Sequence, residues 1–181
     1  MNNTILIVVD MIYDFVYGKF GNDHARNIIP YVRSIISKAR SKGIPVIYLK
    51  DAHLPSDPET KHWGQHAMKG EIGSEIIPEL NPEINDIVVS KSTYSGYYNT
   101  ALETILKDLQ VKEVILVGVS TNICVQHNAA DSFFRGYKVI VIENATAAFD
   151  PAVHLQALQY MKDIYGVKTI DSETLIKEWE S

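Results

Sequence analysis

Cys124 is the only cysteine of the chain. It stands in the stretch from Gly118 to Asp131, GVSTNICVQHNAAD, where an apolar run gives way to a helical pattern. A thiol at a helix N-terminus meets the positive end of the helix dipole and unpaired backbone N–H groups. Both favour thiolate, and a nearby lysine would favour it further. The same N–H groups can hold the oxyanion formed when sulfur attacks a carbonyl. The position suits a nucleophile. A lone cysteine is otherwise a small buried hydrophobe, so this reading depends on what stands around it.

Three other apolar runs end in groups with chemistry. The first closes on Asp10, the second on Asp51 with His53 beyond, and the third on Lys91. A carboxylate in a dry cleft can have a raised pKa and shuttle a proton, which makes Asp10 the candidate base. The competing reading is that Asp10 and Lys91 form only a structural ion pair. His127 lies one helical turn past Cys124, but a histidine on a helix face is more often structural or exposed. Asp51 and His53 are two apart and point to one side of an extended chain. With His66, in HWGQHAMKGEIGSE, they offer two imidazoles and a carboxylate, a set that can hold a divalent ion and leave positions open. A solvated polar loop is the alternative. Thr121 and Asn122 are expected to cap the helix that begins near Cys124.

The elements that must position these groups can be read from periodicity. Ile5–Val9, Ile44–Leu49, Ile87–Val89, Val114–Val117, Val139–Ile142 and Val167–Ile170 predict six strands. Their near-continuous apolar character suits a parallel sheet covered on both faces. Ile28, Ile29, Val32, Ile35, Ile36 and Ala39 keep helical spacing, and Gly43 ends that helix. Thr100–Leu109, Ile123–Arg135, Pro151–Ile164 and Ser172–Trp179 are the other predicted helices. Alternation of strand and helix implies a doubly wound α/β domain, in which ligands bind beyond the carboxyl ends of the strands. All four chemical groups lie at that edge. Only the stretch from Ala52 to Glu71, polar and rich in Pro and His, breaks the rhythm, and loops of that length are usually functional or disordered.

Composition narrows the function. A chain of 181 residues, 46% hydrophobic, fits a single domain over residues 1–181 with a full core. Seventeen basic against twenty-two acidic residues give a net charge of −5, which argues against a nucleic-acid partner. One cysteine makes no internal disulfide, so a reducing cytoplasm is the expected setting. No segment reads as a signal peptide or a membrane span.

Asp10 in ILIVVDMIYDFV, Lys91 in VVSKSTYSGYYNT and Cys124 in GVSTNICVQHNAAD together resemble the Asp–Lys–Cys triad of the isochorismatase-like cysteine hydrolases. Within that superfamily the chain is most similar to nicotinamidases, over nearly its whole length. The resemblance implies a three-layer α/β fold, a six-stranded parallel sheet flanked by helices. It implies a metal site in which Asp51, His53 and His66 are ligands. Glu59 matches an acidic ligand of some members, with His62 as the competing fourth ligand and Glu59 preferred. Where many members carry a proline pair before the last histidine, this chain has Gly64 and Gln65. Zinc is the expected ion, with manganese and iron as alternatives. In the family the metal binds the pyridine nitrogen of nicotinamide. Phe15 and Trp63 match the aromatic residues that flank the ring, with Tyr97 and Val119 as further pocket residues. The resemblance also implies a cis peptide at Val119–Ser120, with the Ser120 and Cys124 N–H groups forming an oxyanion hole.

The implied activity is hydrolysis of nicotinamide to nicotinate and ammonia through a cysteine thioester, a step of NAD salvage. Three rivals stand beside it. Another amidase or carbamoyl hydrolase of the superfamily would share the triad and commonly lack the full metal set. An isochorismatase would not need the nucleophilic cysteine. A non-catalytic α/β binding module would carry an inert thiol. A dinucleotide-binding domain is disfavoured, because DMIYDF follows the first strand where a Gly-rich phosphate loop would stand. Phe133, Phe134 and Tyr137 are candidates for an interface in a homo-oligomer, or equally for the core.

Overall fold

The computed structural model describes residues 3–180. Six strands form one sheet: β1 (Thr4–Val9), β2 (Val46–Asp51), β3 (Ile87–Lys91), β4 (Glu113–Val119), β5 (Lys138–Ala147) and β6 (Lys168–Ile170). All pairings are parallel, in the order β3-β2-β1-β4-β5-β6. The strand order therefore reverses between β1 and β4, and a crevice opens there at the carboxyl ends.

The helices are α1 (Tyr13–Val16), α2 (Asp23–Asn27), α3 (Ile29–Ser41), α4 (Pro58–Trp63), α5 (Leu102–Asp108), α6 (Gln126–Phe134), α7 (Pro151–Tyr165) and α8 (Ser172–Glu180). The two-residue period of a strand sends alternate β1 side chains to opposite faces. Leu6 and Val8 pack with Val32, Ile35 and Ile36 of α3 and with Leu175 and Trp179 of α8. Ile5, Ile7 and Val9 pack with Leu102 and Leu106 of α5, Ala129 of α6 and Leu158 of α7. Each such aliphatic side chain, buried fully, stabilises by about 1.5–3 kcal/mol. Both faces are covered, as the apolar strand runs require.

The differences from the expected boundaries have local causes. β2 begins at Val46 and not at Ile44, because Pro45 has no N–H to give a ladder and contributes only its carbonyl, to Leu6 N. α5 begins at Leu102, whose N–H donates to the Thr100 hydroxyl at 3.0 Å. β5 runs five residues past Ile142, through a register shift against β4, to pair Gly118 with Thr146 and Val119 with Ala147. Its polar and small sequence, ENATA, hides it. The expected loop from Ala52 to Glu71 contains α4. No helix among the described residues is long and apolar enough to cross a membrane.

At the switch point, Gly118 of β4 lies beside Val9 of β1 with φ +109°. A Cβ there would stand 2.0 Å from the Val9 carbonyl oxygen. Only glycine lets the two strands meet where the crevice begins.

Candidate active site

β1 ends by turning. Asp10 has a left-handed φ of +50° and is fully buried, and its N–H donates to Leu49 O at 2.8 Å. The turn aims its carboxylate at the ends of β2 and β3. Oδ1 accepts from the Asp51 N–H at 2.9 Å, and Oδ2 pairs with Lys91 Nζ at 2.8 Å. Lys91 Nζ also meets Asp51 Oδ1 at 2.5 Å and Cys124 Sγ at 3.8 Å. The structure thus brings the three predicted triad residues together, all buried.

Burial sets the protonation of this group. It raises the Asp10 carboxyl to about 7, with the charge of Asp51 adding and Lys91 opposing. Burial works against the Lys91 ammonium, yet Asp10 and Asp51 hold it well above its ordinary value. Burial likewise opposes ionisation of Asp51, but Lys91 and His53 hold its carboxyl low. The thiolate expected from the helix end and the lysine is not what the environment favours. Burial pushes the Cys124 thiol well above its ordinary value, with Lys91 acting against it. The charges of Asp10 and Asp51 act on the side of burial, and together they outweigh the lysine.

The nucleophile sits on an unusual turn. After the cis peptide Val119–Ser120, residues Thr121–Val125 form a π-helical turn that leads into α6. Ser120 O accepts from the N–H groups of Ile123 and Val125 at 3.0 and 3.1 Å. The expected capping by Thr121 and Asn122 does not occur. The cap position falls on Ser120, with no side-chain cap bond, and the Thr121 hydroxyl pairs with His154 Nδ1 at 2.8 Å. His127 is exposed, with Nδ1 at 2.7 Å from Ile123 O, and it does not line the cavity.

Beside the triad lies a second cluster. Asp51, His53, Glu59 and His66 are buried, with one ligand atom from each within 4.8 Å of the others. Buried atoms of this set have no hydrogen-bond partner: Asp51 Oδ2, both nitrogens of His53, and Glu59 Oε1. Leaving such groups unpaired costs about 1–3 kcal/mol each, so the donor set fits a divalent cation. His62 stands outside it, its ring edge-on to Trp63. α4 delivers Glu59 from its first turn, and Gly64 ends the helix with φ +75°. The segment around His66 is clamped from the neighbourhood of α1. Lys19 Nζ donates to Trp63 O and Gln65 O at 2.8 and 3.0 Å, while Asp14 Oδ2 accepts from Ala67 N at 2.7 Å. The Gly64 carbonyl lies 2.8 Å from His66 Nδ1, an arrangement that leaves Nε2 for an ion.

Both clusters open into one cavity, to which Cys124, Ser120, Val119, Asp51, Glu59 and His66 all contribute. Phe15 and Trp63 line it as expected. Tyr97 does not. Its ring is buried under the Arg135 guanidinium, 4.5 Å from the centroid, and its hydroxyl is 2.8 Å from Ser132 Oγ. The wall position belongs to Tyr94, whose hydroxyl accepts from Trp63 Nε1 at 3.0 Å. Sequence reasoning also missed Phe20 and Phe149. Phe20 packs edge-on against Trp63, His66 and Phe149, completing an aromatic rim. Phe20 follows the clamp residue Lys19 directly, but nothing in its spacing separates it from a core residue. Among the described residues no lysine or arginine lines the cavity. Lys91 is held in its two ion pairs and Lys19 is spent on backbone carbonyls. Phe133 and Phe134 lie elsewhere, exposed at the end of α6 beside Tyr165 of α7.

Residues 4–174 match the family described as Isochorismatase domain. Among solved structures, N-carbamoylsarcosine amidase from Thermoplasma acidophilum superposes with a TM-score of 0.89 at 40% identity, covering 94% of this chain and 96% of that one. Pyrazinamidase of Pyrococcus horikoshii in complex with zinc gives a TM-score of 0.86 at 29% identity, over 93% and 99%. Nicotinamidase 3 of Arabidopsis thaliana is 33% identical over 82% of this chain and 75% of its own length.

Proposed function

The chain belongs to the isochorismatase family, and from that premise we propose that it is a cysteine amidohydrolase that converts nicotinamide to nicotinate and ammonia. The observation that carries this reading is the meeting of a buried Asp–Lys–Cys cluster and a partly unsatisfied Asp–His–Glu–His set in one aromatic-walled cavity. Phe15, Phe20 and Trp63 suit a flat heteroaromatic ring. The Asp51, His53, Glu59 and His66 set would hold a divalent ion, zinc by preference. When bound, that ion would supply a Lewis-acid anchor for the ring nitrogen.

The chain's own residues account for the chemistry. Asp10, with a carboxyl near 7, takes the thiol proton as Sγ attacks the carboxamide carbon. The Ser120 and Cys124 N–H groups hold the oxyanion. Asp10 gives its proton to the departing nitrogen, and ammonia leaves a thioester on Cys124. Asp10 then takes a proton from water, the hydroxide attacks the thioester, and the proton returns to sulfur as nicotinate departs. Lys91 stays charged throughout and stabilises each anionic stage.

One observation favours a second reading. The identity to the N-carbamoylsarcosine amidase is 40%, above that of the nicotinamidase relative. N-carbamoylsarcosine is not a flat aromatic molecule, however, and the cavity walls at Phe15, Phe20 and Trp63 suit a flat ring better. Ammonia release from nicotinamide and from N-carbamoylsarcosine, each with zinc and with Cys124→Ala as blank, separates the two. Zinc-dependent release from nicotinamide alone supports the first reading. Release only from the carbamoyl substrate would overturn it.

A further inference from the structure

The buried face of α6 is polar where a packed helix is normally apolar. Asn128 and Ser132 are fully buried there, and unpaired polar groups in such a place are costly. Both side chains reach the segment Tyr94–Tyr97 that follows Lys91, besides the carbonyl four residues back in their own turn. Asn128 Nδ2 donates to Tyr94 O at 3.1 Å and to Cys124 O at 2.7 Å, and Asn128 Oδ1 accepts from Gly96 N at 2.9 Å. Both amide donors are used. Ser95 Oγ donates to Asp131 Oδ2 at 2.5 Å, and Ser132 meets the Tyr97 hydroxyl.

Asn128 is therefore, among the described residues, the one side chain bonded at once to the backbone of the nucleophile and to the backbone of a cavity wall. The wall residue is Tyr94, and its hydroxyl in turn holds Trp63 across the cavity. We propose that Asn128 is a positioning residue that fixes the Tyr94–Trp63 wall relative to the Cys124 sulfur, and so sets the aryl selectivity of the slot. The proposal rests on the aromatic slot of the function proposed above, but not on the identity of its substrate.

The test alkylates Cys124 with phenacyl bromide and with iodoacetamide, and reads the ratio of the two rates. The proteins are the wild type, Asn128→Ser, Tyr94→Ala and the double variant. A serine at 128 can still bond the carbonyl four residues back, to Cys124, while losing Tyr94 and Gly96. The ratio is expected to fall by about tenfold in Asn128→Ser, roughly the worth of two hydrogen bonds, with the iodoacetamide rate little changed. The double variant should match Tyr94→Ala, because Asn128 acts through that residue. An unchanged ratio in Asn128→Ser, or additive effects in the double variant, would overturn the proposal. A role in stability alone would expose the buried thiol, raise both rates together and leave the ratio fixed. Asn128→Thr replaces the serine variant if that one does not fold. Absence of nicotinamide hydrolysis by the wild type, with the ratio still falling in Asn128→Ser, would sink the substrate reading and leave this one standing.

Discussion

Two ionic clusters meet at the carboxyl edge of the sheet, and they differ in how complete they are. In the triad each charge has its counter-charge: Lys91 lies between Asp10 and Asp51, with sulfur 3.8 Å away. It is held by strand ends. In the quartet three residues come from the segment after β2, and buried atoms of Asp51, His53 and Glu59 have no hydrogen-bond partner. Under the function proposed above, the first cluster works on the substrate and the second receives an ion. Asp51 belongs to both, with Oδ1 toward Lys91 and Oδ2 toward His53.

If this division is right, the two clusters should fail separately. Cys124→Ala is expected to lower turnover by on the order of 10⁴-fold or more, while zinc still raises the unfolding temperature. Calorimetry beside the ammonia assay checks both halves. Asp10→Asn should cost about 10²- to 10⁴-fold in kcat, and a variant as active as the parent would remove Asp10 as the base.

The quartet should show the opposite pattern. His66→Ala is expected to weaken zinc binding by more than about 100-fold, beyond the loss typical for an outer partner alone. A chelator-competition titration reads this directly. The variant should also lose the stabilisation that zinc brings, about 2.7 kcal/mol at a hundred times its Kd. The chain's lone thiol should stay as slow to alkylate at pH 7 as in the parent. A thiol pKa raised by burial means less thiolate at neutrality than in free cysteine, so iodoacetamide rates in metal-free protein should still be rising with pH where those of free cysteine have levelled off. Fast alkylation at pH 7 would show that the lysine outweighs burial. The smallest effect is expected at the clamp. Lys19→Met should raise KM by roughly threefold and leave kcat unchanged, in line with a loss of about 0.5–1 kcal/mol for exposed hydrogen bonds.

The triad was legible in the sequence because Asp10 and Lys91 close apolar runs and Cys124 follows one into a helix, and strand ends are a place that periodicity can find. The metal set was legible through the two-residue spacing of Asp51 and His53 with His66 beyond, and Glu59 was carried by resemblance. The rim was not. Phe20 and Phe149 sit where no period applies, and Tyr94 and Tyr97 lie three apart in one short segment. Choosing between those tyrosines required knowing that Ser132 and Arg135 would claim Tyr97. The protonation of Cys124 was also out of reach, since a helix end and a lysine can be read from a sequence but the depth of burial cannot.

Gly118 carries a consequence for how this family member tolerates change. It touches no reacting atom, yet any side chain there meets the Val9 carbonyl and forces apart the two strands that flank the crevice. In a saturation library scored for activity, position 118 would be as depleted as position 124. A map of the site drawn from such depletion would credit Gly118 with chemistry, when its contribution is the absence of an atom.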